Sequence, residues 1–64
     1  MKNRVKELRG KRKITQEELA ALIGISRQAI NAIEKEKFDP SLPTAFKMAK
    51  LFDLSIEKIF LFKK

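Results

Sequence analysis

Arg27, Gln28, Asn31 and Ala32 stand in one short stretch with Ile30 and Ile33 between and after them. At about 100° per residue, the two isoleucines mark one side of a helix, and the other four residues, with Lys35, cover the opposite side. The chemistry of that side suits the edges of stacked bases. An arginine fork matches the paired acceptors O6 and N7 of guanine, and a glutamine or asparagine amide matches N6 and N7 of adenine. A small alanine can lie against a thymine methyl. Each good bidentate match discriminates by about 1–3 kcal/mol. The same residues on an isolated helix would be an ordinary solvated face, so they need a scaffold that delivers them to a groove.

The neighbouring residues supply one. Leu19, Ala20 and Ile23 form the apolar side of a preceding helical pattern, separated from the next only by Gly24-Ile25-Ser26. Gly24 can take the left-handed conformation of a sharp turn, and Ile25 is placed to plug the angle between the helices. That is the pattern of a helix-turn-helix over about residues 16–35, whose second helix enters the DNA major groove. Thr15 and Glu18 predict a capping box at the start of the first helix, Gln16 to about Ile23. Gln16 opens that helix, where free N–H groups and the positive dipole end suit a phosphate. The second helix runs from Arg27 to about Lys35 behind Ser26, and Ser41 and Ser55 are likewise placed as helix caps.

The rest of the chain reads as helices around this pair. Residues from about Asn3 to Lys13 predict a first helix with Val5 and Leu8 inward, weakened by Gly10 by about 1 kcal/mol relative to alanine. Lys37-Phe-Asp-Pro-Ser-Leu-Pro43 reads as a loop. A fourth helix, about Leu42 to Phe52, aligns Leu42, Ala45, Met48, Ala49 and Phe52 on one face. After Asp53-Leu54-Ser55, a short fifth helix runs from Ile56 to about Phe60. The expected fold class is all-α, a five-helix bundle forming a single domain over residues 1–64, with Phe60-Leu-Phe62 able to end as a short extended edge. Ile56, Ile59, Phe60, Leu61 and Phe62 exceed what so small a core should need. An apolar edge invites a second copy, so these five residues are the expected homodimer interface. A two-fold dimer would set its second helices about 34–36 Å apart and require a near-palindromic site.

Composition sets the bounds. The chain has 64 residues, 15 Lys and Arg against 8 Asp and Glu, a net charge of +7, and neither Cys nor His. A polyanionic partner suits that charge. Without His and Cys, the common nucleophile–base pairs and nitrogen or sulfur metal sites cannot form. There is no glycine-rich phosphate loop, so no enzyme, cofactor or metal is expected. No apolar run reaches the roughly 18 residues of a spanning helix. The basic start, Met1-Lys-Asn-Arg4, leads into more charge rather than a signal sequence. A cytoplasmic protein with no membrane partner is the expectation.

These residues carry a resemblance to the phage-repressor-like helix-turn-helix family, also called the Xre or Cro/repressor family. Counted from Gln16, the family's apolar positions fall on Leu19, Ile23, Ile25, Ile30 and Ile33, its alanine on Ala20 and its glycine on Gly24. Similarity continues through Leu8-Arg9, Ile33-Glu34, Lys37, Pro40-Ser41-Leu42 and Ser55-Ile-Glu-Lys-Ile-Phe60, and is narrowest to stand-alone regulators. The chain departs from the family at Lys13-Ile14, Lys35-Glu36 and Asp53, where relatives often place glycine.

The resemblance implies that Arg27, Gln28, Asn31 and Ala32 read bases. It implies that Gln16 lies on the DNA backbone and braces the recognition helix, and that Lys37 contacts phosphate. Lys35, Arg12 and Lys13 are further phosphate candidates. Arg9 is another, although relatives pair the matching arginine with the glutamate at Glu34. Relatives of this length dimerise through the C-terminal region. The expected function is a duplex-DNA-binding transcriptional regulator, a homodimeric repressor; the alternative is an antitoxin-type or adaptor module whose main role is to bind a partner protein.

Overall fold

Side-chain caps begin three of the helices. Thr15 Oγ1 accepts from the Glu18 amide at 3.0 Å while Glu18 Oε1 accepts from the Thr15 amide at 2.8 Å, a complete capping box. Ser26 accepts from the Ala29 amide at 3.0 Å and Ser41 from the Thr44 amide at 3.3 Å. Ser55 occupies the same position in its helix but makes no such bond. The computed structural model describes residues 1–61. Their elements are β1 (Lys2–Asn3), α1 (Val5–Lys11), α2 (Gln16–Ile23), α3 (Arg27–Glu34), α4 (Leu42–Phe52), α5 (Ile56–Ile59) and β2 (Phe60–Leu61). The five helices are those expected from the sequence; the strand pair adds a small β element to an otherwise helical domain.

The first helix is shorter than its apolar spacing suggests, and Asn3 is the reason. Its backbone pairs antiparallel with Phe60, while Lys2 pairs with Leu61. Its side chain accepts from the Val5 amide at 3.1 Å and donates to the Ile33 carbonyl at 2.9 Å. Helix therefore starts only after Arg4. At the other end Lys13 turns left-handed, with φ 57°, so α1 stops at Lys11.

The core consists of Val5, Leu8, Leu19, Ala20, Ile23, Ile30, Ile33, Ala45, Met48, Phe52, Ile59 and Phe60. Two of these correct the expected dimer interface. Ile59 and Phe60 belong to the monomer's own core, because the tail folds back: the Arg4 amide donates to the Ile59 carbonyl at 2.8 Å, and β1 takes up one edge of β2. Leu42 moves the opposite way. Placed on the inward face of α4 by its spacing, it is the first residue of the helix and is 64% exposed. It borders an apolar groove with Met1, Pro40, Ala45, Ile56 and Phe60. Phe62 lies outside the described residues.

Candidate nucleic-acid interface

Gly24 ends α2 with φ 88°, and both its own amide and that of Ile25 donate to the Ala20 carbonyl, at 2.8 and 3.0 Å. Lys47, from α4, reaches the Ile23 carbonyl at 3.4 Å, placing a positive charge at the negative end of the α2 dipole. Ile25 packs half-buried against the core. Turn, plug and cap together fix the angle at which α3 leaves α2.

That angle determines which candidates meet. Arg27, Lys13 and Gln16 line one open depression of about 580 Å³ beside the start of α2, together with Arg9, Ile14, Thr15 and Glu17. Arg27 and Gln28 are exposed, while Asn31 and Ala32 are half-buried. Lys35 follows α3 as its C-terminal cap, and Lys37 lies in the next loop with its amide donating to the Ala32 carbonyl at 2.9 Å. Both lysines are exposed beyond the far end of α3, away from the depression. Arg12 does not join the group either; its guanidinium lies over the Phe52 ring, 6.0 Å from the centroid, within range of a cation–π attraction.

Behind the exposed face runs a chain of polar side chains. Arg9 Nε donates to Glu34 Oε2 at 2.8 Å and Arg9 Nη2 to Glu34 Oε1 at 3.3 Å. Arg9 Nη1 also binds the Ile14 carbonyl at 3.0 Å. Only 3% of the Glu34 side chain is exposed, so this ion pair ties α1 to α3 from inside. Gln16 Nε2 donates to Glu34 Oε1 at 3.0 Å, and Asn31 Nδ2 donates to Gln16 Oε1 at 3.4 Å. Arg9 is thus committed to Glu34 and the Ile14 carbonyl. Sequence reasoning missed the Asn3 clamp on the last turn of α3. An Asn just before an apolar helical pattern was a usable cap signal. The resemblance implied that Gln16 braces the recognition helix, but not that Asn31 is its partner, since that depends on the angle between two helices.

A family model described as helix-turn-helix matches residues 5–59, the span from the first residue of α1 to the last of α5. The chain belongs to this helix-turn-helix family of transcriptional regulators. An uncharacterized HTH-type transcriptional regulator of Methanocaldococcus jannaschii is 54% identical over 98% of this chain and 96% of its own length. Another, from Archaeoglobus fulgidus, is 48% identical over 97% of this chain and 87% of its own. Among solved structures, the restriction-modification controller protein C.AhdI of Aeromonas hydrophila superposes with a TM-score of 0.79. It is 32% identical, covering 89% of this chain and 86% of that one. The N-terminal DNA-binding domain of SinR from Bacillus subtilis gives 0.75 at 25% identity, covering 84% and 80%. As an HTH-type regulator the protein is DNA-binding and not an enzyme. No helix among its described residues is long and apolar enough to cross a membrane.

Proposed function

We propose that this HTH-type regulator binds a near-palindromic operator as a homodimer and represses by occluding the promoter. The observation that carries the reading is the meeting of exposed Arg27 with Gln16 and Lys13 at the start of α2. A base-reading cation there stands beside groups suited to phosphate. Arg27, Gln28, Asn31 and Ala32 read bases in the major groove. Gln16, Lys13, Lys35 and Lys37 hold the backbone, and Arg12, exposed over the Phe52 ring, is a further phosphate candidate outside the depression.

The dimer face is revised from the sequence reading. Ile56 and Leu61 remain in it, joined by Leu42 and Met1, which are 64% and 39% exposed. Met1, Leu42 and Ile56 line one apolar groove, and Leu61 is 40% exposed on the strand paired with β1; exposed apolar groups of this kind on so charged a chain support a contact between copies.

Selection of bound duplexes from a random pool at about 0.15 M salt, the ionic strength at which non-specific contacts are substantially screened, tests the reading. An enriched near-palindrome with half-sites one turn apart is the expected result. No enrichment by the folded protein would overturn it in favour of a module that binds a partner protein.

A further inference from the structure

One side-chain amide joins the apolar groove to the end of α3. The NH₂ of Asn3 has two hydrogens to donate. One goes to the Ile33 carbonyl at 2.9 Å and the other to the Met1 carbonyl at 3.1 Å. Ile33 lies in the last turn of α3, while Met1 lines the groove with Leu42, Ile56 and Phe60. Asn3 Oδ1 accepts from the Val5 amide at 3.1 Å, and the Asn3 backbone pairs with Phe60. Both ends of the amide are therefore committed, one to a donor and the other to two acceptors. The Ile33 carbonyl also accepts from the Glu36 amide at 3.0 Å, where the chain turns left-handed with φ 63°. α3 has only eight residues, so this last turn governs where Lys35 and Lys37 leave the helix.

The strand pair that carries Asn3 is weak by itself. β1 and β2 have two residues each, below the size at which a sheet is stable alone, and chain ends of this kind open at little cost. When β1 leaves β2, Asn3 leaves with it, and the Ile33 carbonyl loses its side-chain donor. A second copy seated over Met1 and Leu61 gains its apolar contact only while the two strands are closed. We propose that Asn3 is a positioning residue through which the pairing of two copies sets the recognition helix. Closure of β1 on β2 is the shared two-state element, favoured at one end by the second copy and at the other by DNA on α3. The inference rests on the homodimeric DNA-reading function proposed above and adds a coupling between its two faces. Such a coupling must be reciprocal, and a copy whose strands are closed only part of the time binds DNA more weakly by that fraction.

The test uses the full chain and a duplex carrying one half-site of the operator recovered by duplex selection. It is too short for two copies, so nothing is gained from joining two modules on one duplex. Sedimentation over a range of protein concentrations gives the dimer dissociation constant with and without saturating half-site. In the parent, the duplex should tighten the dimer by roughly 5-fold or more, the lower end of ordinary coupling between sites. Asn3→Ser keeps an oxygen for the Val5 amide but has no NH₂ to bridge Met1 and Ile33. Its dimer should be indifferent to the duplex. A purely structural Asn3 would lower the melting temperature when replaced and leave the coupling intact. In the parent, the Asn3 Nδ2 hydrogens should exchange with solvent more slowly as concentration raises the dimer fraction, a readout by NMR that needs no variant.

The inference is overturned if the half-site leaves the self-association of the parent unchanged, or if exchange at Asn3 Nδ2 is the same in monomer and dimer. Neither outcome needs the Asn3 variant to fold. It is also overturned if Asn3→Ser retains the full coupling. A parent that stays monomeric with and without duplex would instead remove the homodimer, and failure to enrich any duplex would remove the DNA-reading function. Both differ from a dimer that binds its half-sites without coupling.

Discussion

Glu34 illustrates how much a single side chain can hold. It is almost wholly enclosed and accepts from Arg9 twice and from Gln16 once. Removing one partner of such a pair leaves a buried charge uncompensated and costs about 3–5 kcal/mol. Arg9→Met should therefore lower the melting temperature by more than about 10 °C, because each kcal/mol is worth roughly 4–8 °C in a domain of this size. A loss of only a degree or two would show that Glu34 finds other partners. Glu7 provides a contrast on the surface of α1. A hydrogen bond from Arg4, then one from Lys11, holds its carboxyl down at about 2 from an ordinary value of 4.5. Its ion pairs therefore stabilise the folded chain above pH 4.5, and that contribution disappears as pH falls toward 2. An NMR titration of the Glu7 carboxyl should give a midpoint well below those of exposed glutamates, and Glu7→Gln should flatten the acid limb of the stability curve. A midpoint near 4.5 would dismiss the pairing.

The helix ends show where sequence is legible at the level of elements. Thr15, Ser26, Ser41 and Gly24 marked boundaries because each acts within a few residues of itself, the three hydroxyls by capping an amide three residues on and Gly24 by turning left-handed. Among the described residues, Lys13, Glu36 and Asp53 are the non-glycine ones with positive φ, at 57°, 63° and 56°. They are also the places where the chain departs from the glycines of its resemblance. The fold kept the conformation although the residue type did not favour it, at a cost of roughly 1–2 kcal/mol for an ordinary side chain. Glycine at Glu36 removes that strain but adds chain entropy, for a net gain of about 0.5–1 kcal/mol. Glu36→Gly should raise the melting temperature by a few degrees, and Asp53→Gly by less, since Asp tolerates this region better. Equal shifts, or a loss at Glu36, would show that side-chain contacts rather than strain govern these ends. The strand pair was legible only in part. Phe60 and Leu61 suggested an extended end, but the partner, Lys2–Asn3, lies at the opposite end of the chain and carries no strand pattern in two residues. The same distance explains the mistaken assignment of Ile59 and Phe60, which only that return of the tail carries into the core. On the proposed DNA face, helical period alone distinguished outward Arg27 and Gln28 from inward Ile30 and Ile33. It could not show that Asn31 is engaged by Gln16.

At the scale of the whole molecule, size constrains how two copies can read one site. The described residues extend 32 × 23 × 20 Å, so two copies side by side can place their α3 helices one DNA turn, about 34–36 Å, apart. A test of the proposed dimer needs a face whose alteration spares the monomer. Phe60 fails that condition at 5% exposure, and a polar residue there should unfold the chain rather than separate a dimer. Leu42 and Leu61, at 64% and 40% exposure, meet it. The double variant Leu42→Glu, Leu61→Glu should melt within a few degrees of the parent, because exposed substitutions usually change stability by less than about 0.5 kcal/mol each. It should sediment as a single 7.4 kDa chain where the parent sediments as twice that mass. Its base preferences within a half-site should be those of the parent, since α3 is untouched. Affinity for the full palindrome should fall by a hundredfold or more, on the order of the gain from joining two modules. The salt dependence should become shallower in the same variant, because each copy then releases only its own counterions. A double variant that still sediments as a dimer would place the interface elsewhere. A parent that is monomeric both free and on the operator would remove the homodimer altogether, and with it the need for a palindrome.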